Sequence, residues 1–150
     1  MSTKHNFEAW YPELPDLLFG QVMGVSVFNA TAFMNNREVD QFQCSIDNYK
    51  ETCSVIIDLY ARKLGLDSPE QLFLTDDNGD TMIHEVLAFS FVEYIDPAFS
   101  VYMHDRMHEL FYNGMVVSDN YLAVAAKRRL PKSVLEKLVW RWHESAEVLA

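Results

Sequence analysis

His104 and His108 lie one helical turn apart in His104-Asp105-Arg106-Met107-His108, a spacing with which two imidazoles on one helix face can hold a zinc ion. The glutamate that follows the first histidine in zinc proteases is absent, and no third ligand is identifiable, so the pair reads as solvated polar-face histidines. Cys44 and Cys53 are nine residues apart, which on a helix separates them by roughly 13 Å along the axis, beyond disulfide reach. They read as reduced core thiols, since a metal site would need partners that the neighbouring sequence does not offer. The run Asp76-Asp77-Asn78-Gly79-Asp80 has the acidic density of a calcium loop. Counted from Asp76, however, Thr81 falls where the loop needs glycine and Leu87 where it needs a bidentate glutamate. A glycine-rich phosphate loop, a Gly-x-Ser-x-Gly elbow and a Cys/His nucleophile pair are all missing. Carboxylate pairs are abundant, but an acidic chain supplies them by accident. The expectation is a non-enzyme with no catalytic residue, no cofactor and no metal.

Charge says more than chemistry. The 150 residues carry a formal net charge of -10, unevenly placed. Residues 1–126 hold 6 Lys/Arg against 19 Asp/Glu, a net of -13, and residues 127–150 hold 6 against 3, a net of +3. An acidic body repels nucleic acid at long range and attracts basic protein surfaces. The candidate acidic contacts are Asp47, Glu51 and Asp58, which share a helix ridge with Ser54, together with Asp76, Asp77 and Asp80. The candidate nucleic-acid or subunit contacts are Lys127, Arg128, Arg129, Lys132 and Arg141, beside Lys137. Trp140 falls among Ser133, Glu136, Lys137 and Glu144 on the polar side of the last helix and is a candidate interface anchor. An apolar run of about 18 residues and a charged, apolar, small-residue leader are both lacking, so a soluble cytoplasmic protein with no membrane partner is expected.

The length supports one core. Residues 1–17, with Trp10, Tyr11, Pro12 and Pro15 among polar residues, predict an irregular arm pinned by its aromatics. Gly20 to Phe28 has the β-branched content and flanking glycines of a strand or hairpin, and Asn29-Ala30-Thr31 offers a cap to a short helical turn. Ile46, Tyr49, Cys53, Ile56, Ile57, Tyr60 and Leu64 recur at helical spacing, with Gly65 where a left-handed cap belongs, so one amphipathic helix is predicted over 46–64. Gln71 to Thr75 and Thr81 to His84 flank the Asn78-Gly79 turn signal and predict a hairpin with an acidic tip. Glu85 to Ile95 is apolar on most sides and predicts a central buried helix. Asp96-Pro97 then starts a helix that runs to about Tyr112 and is expected to bury Phe99, Tyr102, Met103, Met107, Leu110 and Phe111, with Asn113-Gly114 closing it. Asp119 to Ala126 belongs to the tail. A stronger helix is expected from about Pro131, with Leu135, Leu138, Val139, Trp142 and Leu149 in one stripe that docks on the body or on a second subunit.

The stretch His84, Leu87-Ala88, Tyr94, Pro97 and Phe99, preceded by the Asn29-Ala30-Thr31 element after a strand, resembles the KilA-N domain of phages and large DNA viruses over about residues 24–114. The tryptophan that usually precedes the histidine is replaced by Met82, the proline that usually follows it by Glu85, and the tryptophan expected near Phe42 is absent. The resemblance implies an α+β fold, with small antiparallel hairpins packed on several helices. It divides the chain into the arm at 1–17, the domain at 18–116 and a helical tail at 117–150. His84 then reads as a structural cap rather than a catalyst. Joined to the acidic body, the resemblance implies a phage or mobile-element protein that binds a host nucleic-acid-binding protein, as anti-CRISPR proteins and DNA mimics do. DNA held by the basic tail is the alternative partner. A homodimer through the C-terminal helix, serving as a plain interaction module, is the third reading.

Overall fold

A five-stranded antiparallel sheet of β1 (Glu8–Ala9), β2 (Leu18–Val22), β3 (Val25–Asn29), β4 (Phe73–Thr75) and β5 (Thr81–His84) organises the first part of the chain, in the order β1-β2-β3-β5-β4. The computed structural model describes residues 6–37, 44–116 and 118–137. Strands β2 (Leu18–Val22) and β3 (Val25–Asn29) form the hairpin expected from their β-branched residues and glycines. Met23 and Gly24 close it, both at positive φ (53° and 77°), the backbone that a two-residue turn requires between right-twisted strands. Strands β4 (Phe73–Thr75) and β5 (Thr81–His84) form the second hairpin, and β5 joins the two by pairing with β3.

The N-terminal arm is pinned by its aromatics, as expected, but is less irregular than its composition predicts. It supplies a two-residue edge strand, β1 (Glu8–Ala9), that pairs with β2. Leu14 and Leu17 are buried in the core, and Trp10 stacks flat on Phe19 with ring centroids 4.2 Å apart. The two-residue strand is too short to leave a period in the sequence, which is why it reads as irregular chain.

Asn29 ends β3 and caps α1 (Ala30–Asn36), its side-chain oxygen accepting the Ala32 N–H at 2.9 Å. The helix predicted over 46–64 is two segments, α2 (Ile46–Thr52) and α3 (Ser54–Lys63), broken at Cys53, whose ψ of 22° leaves the helical range. Hydrogen bonds still cross the break, from Cys53 N–H to Tyr49 and from Ile57 N–H to Cys53, so the fault is a bend and not a turn. Gly65 sits at φ 70° and completes a Schellman motif: Leu66 N–H donates to the Ala61 carbonyl and Gly65 N–H to Arg62.

Two 3-10 turns, Pro69–Leu72 and Glu85–Leu87, lead into β4 and into α4 (Ala88–Ile95). Helix α4 buries Ala88, Phe91, Val92 and Ile95, as its apolar circumference predicts, against an aromatic cluster of Phe19, Phe28, Phe33 and Tyr49. Asp96 caps α5 (Pro97–Asn113), its Oδ1 accepting the Ala98 and Phe99 N–H groups at 3.0 and 3.2 Å. Helices α4 and α5 meet at 115°, and no single described helix is long and apolar enough to cross a membrane.

The chain divides into two compact units within α5, between His104 and Asp105. The second holds the end of α5 and α6 (Asp119–Arg129), which Ser118 caps. Helix α5 buries no residue, contrary to the sequence expectation: Phe99, Tyr102 and Met103 are half-buried, while Met107, Leu110 and Phe111 are exposed. Residues 132–137 are helical, and the rest of the expected C-terminal stripe, from Leu138 to Leu149, lies outside the described residues.

Candidate protein-binding surface

The six acidic candidates separate into two groups by what their oxygens hold. Asp76 Oδ1 accepts the N–H groups of Asn78 and Asp80, at 2.9 and 2.8 Å, and so folds the hairpin tip. Asp80 Oδ2 accepts the Asn29 side-chain amide at 3.2 Å, and Thr81 N–H donates to Thr31 Oγ1 at 2.8 Å, which ties the hairpin to the start of α1. These two carboxylates are half-buried and engaged within the chain. Asp77 is exposed at the tip. Asp47, Glu51 and Asp58 are exposed along α2 and α3, with no ion-pair partner among the described residues.

Beside them lies an apolar strip that the sequence reading missed. Ile57 and Ala61 turn into the core, so Val55 and Leu59, about half a turn away, must face outward. Val55 is 70% exposed, Leu59 58% and Ile56 45%. The periodicity had placed Ile56 in the core stripe, and Val55 and Leu59 escaped notice because a four-residue repeat does not say which side of a helix finds a partner. The combination matches the make-up of a protein interface, with an apolar centre and a charged margin.

Next to Asp47 opens a groove of about 540 Å³, lined by residues including Thr31, Met34, Ile46, Lys50, Glu70 and Phe73. Lys50 Nζ sits 3.2 Å from a Glu70 oxygen and 4.5 Å from the centre of the Phe73 ring, so its charge is satisfied within the wall. Asp47 stands at the same groove with no such partner.

The remaining candidates serve the fold. Glu93 Oε1 is 3.0 Å from His104 Nε2 and accepts the Ser100 hydroxyl at 3.1 Å. His108 stacks on Tyr112, and no group of three or more His, Cys, Asp or Glu among the described residues is arranged to hold a metal. His84 caps the second 3-10 turn, its Nδ1 accepting the Val86 N–H at 3.1 Å. Cys44 and Cys53 are free and half-buried, and burial pushes the Cys53 thiol up, away from the thiolate a nucleophile needs.

Lys127, Arg128 and Arg129 occupy the last turn of α6, where they complement the negative pole of the helix, and Lys132 is exposed beyond it. They belong to the second unit, whereas every acidic candidate belongs to the first. Arg141 and Trp140 lie outside the described residues.

No family model, curated protein or solved structure matches the chain.

Proposed function

We propose that the first unit is a non-enzymatic protein-binding module that uses the outer faces of α2 and α3 against a partner rich in lysine and arginine. The observation that carries this reading is the strip of Val55, Ile56 and Leu59 lying exposed beside Asp58, in a helix pair that also presents Asp47 and Glu51. A solvated helix face has no use for three exposed aliphatic side chains, and a phosphate-binding face has no use for three carboxylates. The described part of this unit holds 14 Asp/Glu against 4 Lys/Arg, so its field steers it toward basic protein and away from nucleic acid.

The partner class that fits is a host nucleic-acid-binding protein whose Lys/Arg-lined channel the module occupies in place of nucleic acid. The KilA-N-like spacing of His84, Leu87-Ala88, Tyr94, Pro97 and Phe99 supports an origin in a phage or mobile element. The function is then inhibition of a defence complex in the manner of an anti-CRISPR protein, carried out in the host cytoplasm.

Two titrations test the reading. Purified protein added to a panel of RNA-guided effector complexes is expected to weaken target-duplex binding by at least about tenfold for one of them. Added to a mixed-sequence duplex alone, it is expected not to bind even at low salt. Tight, salt-sensitive duplex binding would instead support a DNA regulator acting through Lys127, Arg128 and Arg129.

A further inference from the structure

Among the described residues of the second compact unit, the helices leave their apolar side chains uncovered. The described residues of this unit include no buried side chain, and α6 buries none along its 11 residues. Isolated helices shorter than about 12–15 residues are marginal in water, because most helical stability in proteins comes from covering an apolar face. Phe111 is 83% exposed, Tyr112 81% and Tyr121 62%, with Leu110, Met115, Leu122 and Val124 also open. At about 200 Å² per aromatic side chain, the three rings alone leave on the order of 400 Å² uncovered. That is about half of the ~800 Å² that one partner contributes to a stable interface, divided between the end of α5 (Phe111 and Tyr112) and α6 (Tyr121).

The charges on α6 identify what covers this face. Asp119 stands in the first turn, and Lys127, Arg128 and Arg129 in the last. Arg106 bridges Asp119 at 3.1 Å and Glu109 at 2.9 Å, so two carboxylates share one guanidinium and leave a net of one negative charge among the three at the N-terminal end of α6, with the bases at the other. From Asp119 to Arg129 is about 15 Å at the helical rise per residue. A second α6 laid antiparallel across a two-fold axis therefore sets each acidic end against the other's basic end and opposes the two helix dipoles. Parallel pairing would place base against base. We infer that the second unit is a self-association surface, in which α6 pairs antiparallel with α6 of another copy through Tyr121, Leu122 and Val124. The inference is independent of the partner proposed for the first unit.

The test is the mass of the full chain by sedimentation equilibrium across a concentration series. Two copies are expected. Tyr121→Ser with Leu122→Lys is expected to raise the dissociation constant at least about tenfold, since exposed positions outside any core leave the first unit folded. Near-UV circular dichroism of the Tyr49 and Phe91 core checks that it does. Two further variants test the orientation: Asp119→Lys, and Lys127→Glu with Arg128→Glu and Arg129→Glu. Each alone is expected to be monomeric, which reads the antiparallel orientation because like charges then meet at both ends. Mixing them is expected to restore a heterodimer, because both ends then attract, and so shows the helices to be intact. A wild-type chain that is monomeric throughout would overturn the inference, as would a dimer indifferent to Tyr121 and Leu122, or a failure of the two charge variants to pair. Substituting Asp47, Glu51 and Asp58 is expected to leave the mass unchanged.

Discussion

Replacing Arg37 by alanine removes a fork that joins three parts of the first unit. Arg37 follows α1, its Nε and Nη2 donate to both oxygens of Asp16 at 2.9 and 3.2 Å, its Nη1 donates to Asp96 Oδ2, and its guanidinium lies 4.5 Å from the centre of the Phe33 ring. Asp16 belongs to the arm and Asp96 is the cap of α5. The side chains of Arg37, Asp16 and Asp96 are 27%, 22% and 20% exposed, which places the network between the ~0.2–1 kcal/mol of an exposed pair and the ~3–5 kcal/mol lost when one partner of a buried pair is removed. Arg37→Ala is therefore expected to cost about 2–3 kcal/mol, read from urea unfolding followed by far-UV circular dichroism. Arg37→Lys is expected to recover less than half, because an ammonium cannot span two carboxylates as a planar fork does. The hydrogen bond from Arg37 holds the Asp16 carboxyl below its ordinary value despite partial burial. A depressed folded-state value gives stability that is fully present above the unfolded value, about 3.9, and is lost as pH falls through the lower folded one. The gap between wild type and Arg37→Ala should accordingly be constant from pH 7 to about 5 and narrow below about pH 4. A cost under about 0.5 kcal/mol, or a gap that does not narrow in acid, would refute the clamp.

Three further outcomes are expected. Gly65→Ala, at φ 70°, should cost about 1–2 kcal/mol in urea unfolding, because an L side chain strains the left-handed position that ends α3; no loss would mean the motif relaxes freely. Asp76→Ala should speed amide exchange at Asn78 and Asp80 and lower stability by about 1 kcal/mol, whereas Asp77→Ala should change neither. Burial holds the Tyr49 phenol well above its ordinary value, and its hydroxyl donates to Ser90 Oγ at 3.1 Å. Absorbance titration should therefore leave this tyrosine un-ionised until alkali unfolds the domain, and Tyr49→Phe should cost about 1 kcal/mol.

Local signals were the legible part of the fold. Asn29, Asp96 and Gly65 mark helix ends by chemistry confined to a few neighbouring residues, and Asn78-Gly79 marks a turn in the same way. What periodicity leaves open is which surface meets which. It placed Ile56 inside and put Phe111 in a core that α5 does not have, since an apolar stripe is written identically whether it packs in the same chain or elsewhere. The α+β class was legible, but β1 and the burial of Leu14 and Leu17 depend on pairing across ten residues of chain with no repeat. The candidate acidic surface was half legible. Nothing in the run 76–80 distinguishes Asp76 and Asp80, consumed by backbone and Asn29 donors, from Asp77, and composition gave no hint that Val55 and Leu59 stand beside Asp58.

The most direct test of the proposed binding surface compares three proteins in one competition assay against the effector complex that the wild type inhibits. The first is wild type, the second carries Asp47→Lys, Glu51→Lys and Asp58→Lys, and the third carries Val55→Ser and Leu59→Ser. All substituted side chains are exposed, so urea midpoints should agree closely. Both variants are expected to lose inhibition by at least about tenfold, the charge variant chiefly through slower association and the apolar variant through faster release. Inhibition unchanged in both, with the folds intact, would contradict the assignment of the α2–α3 face as the partner surface.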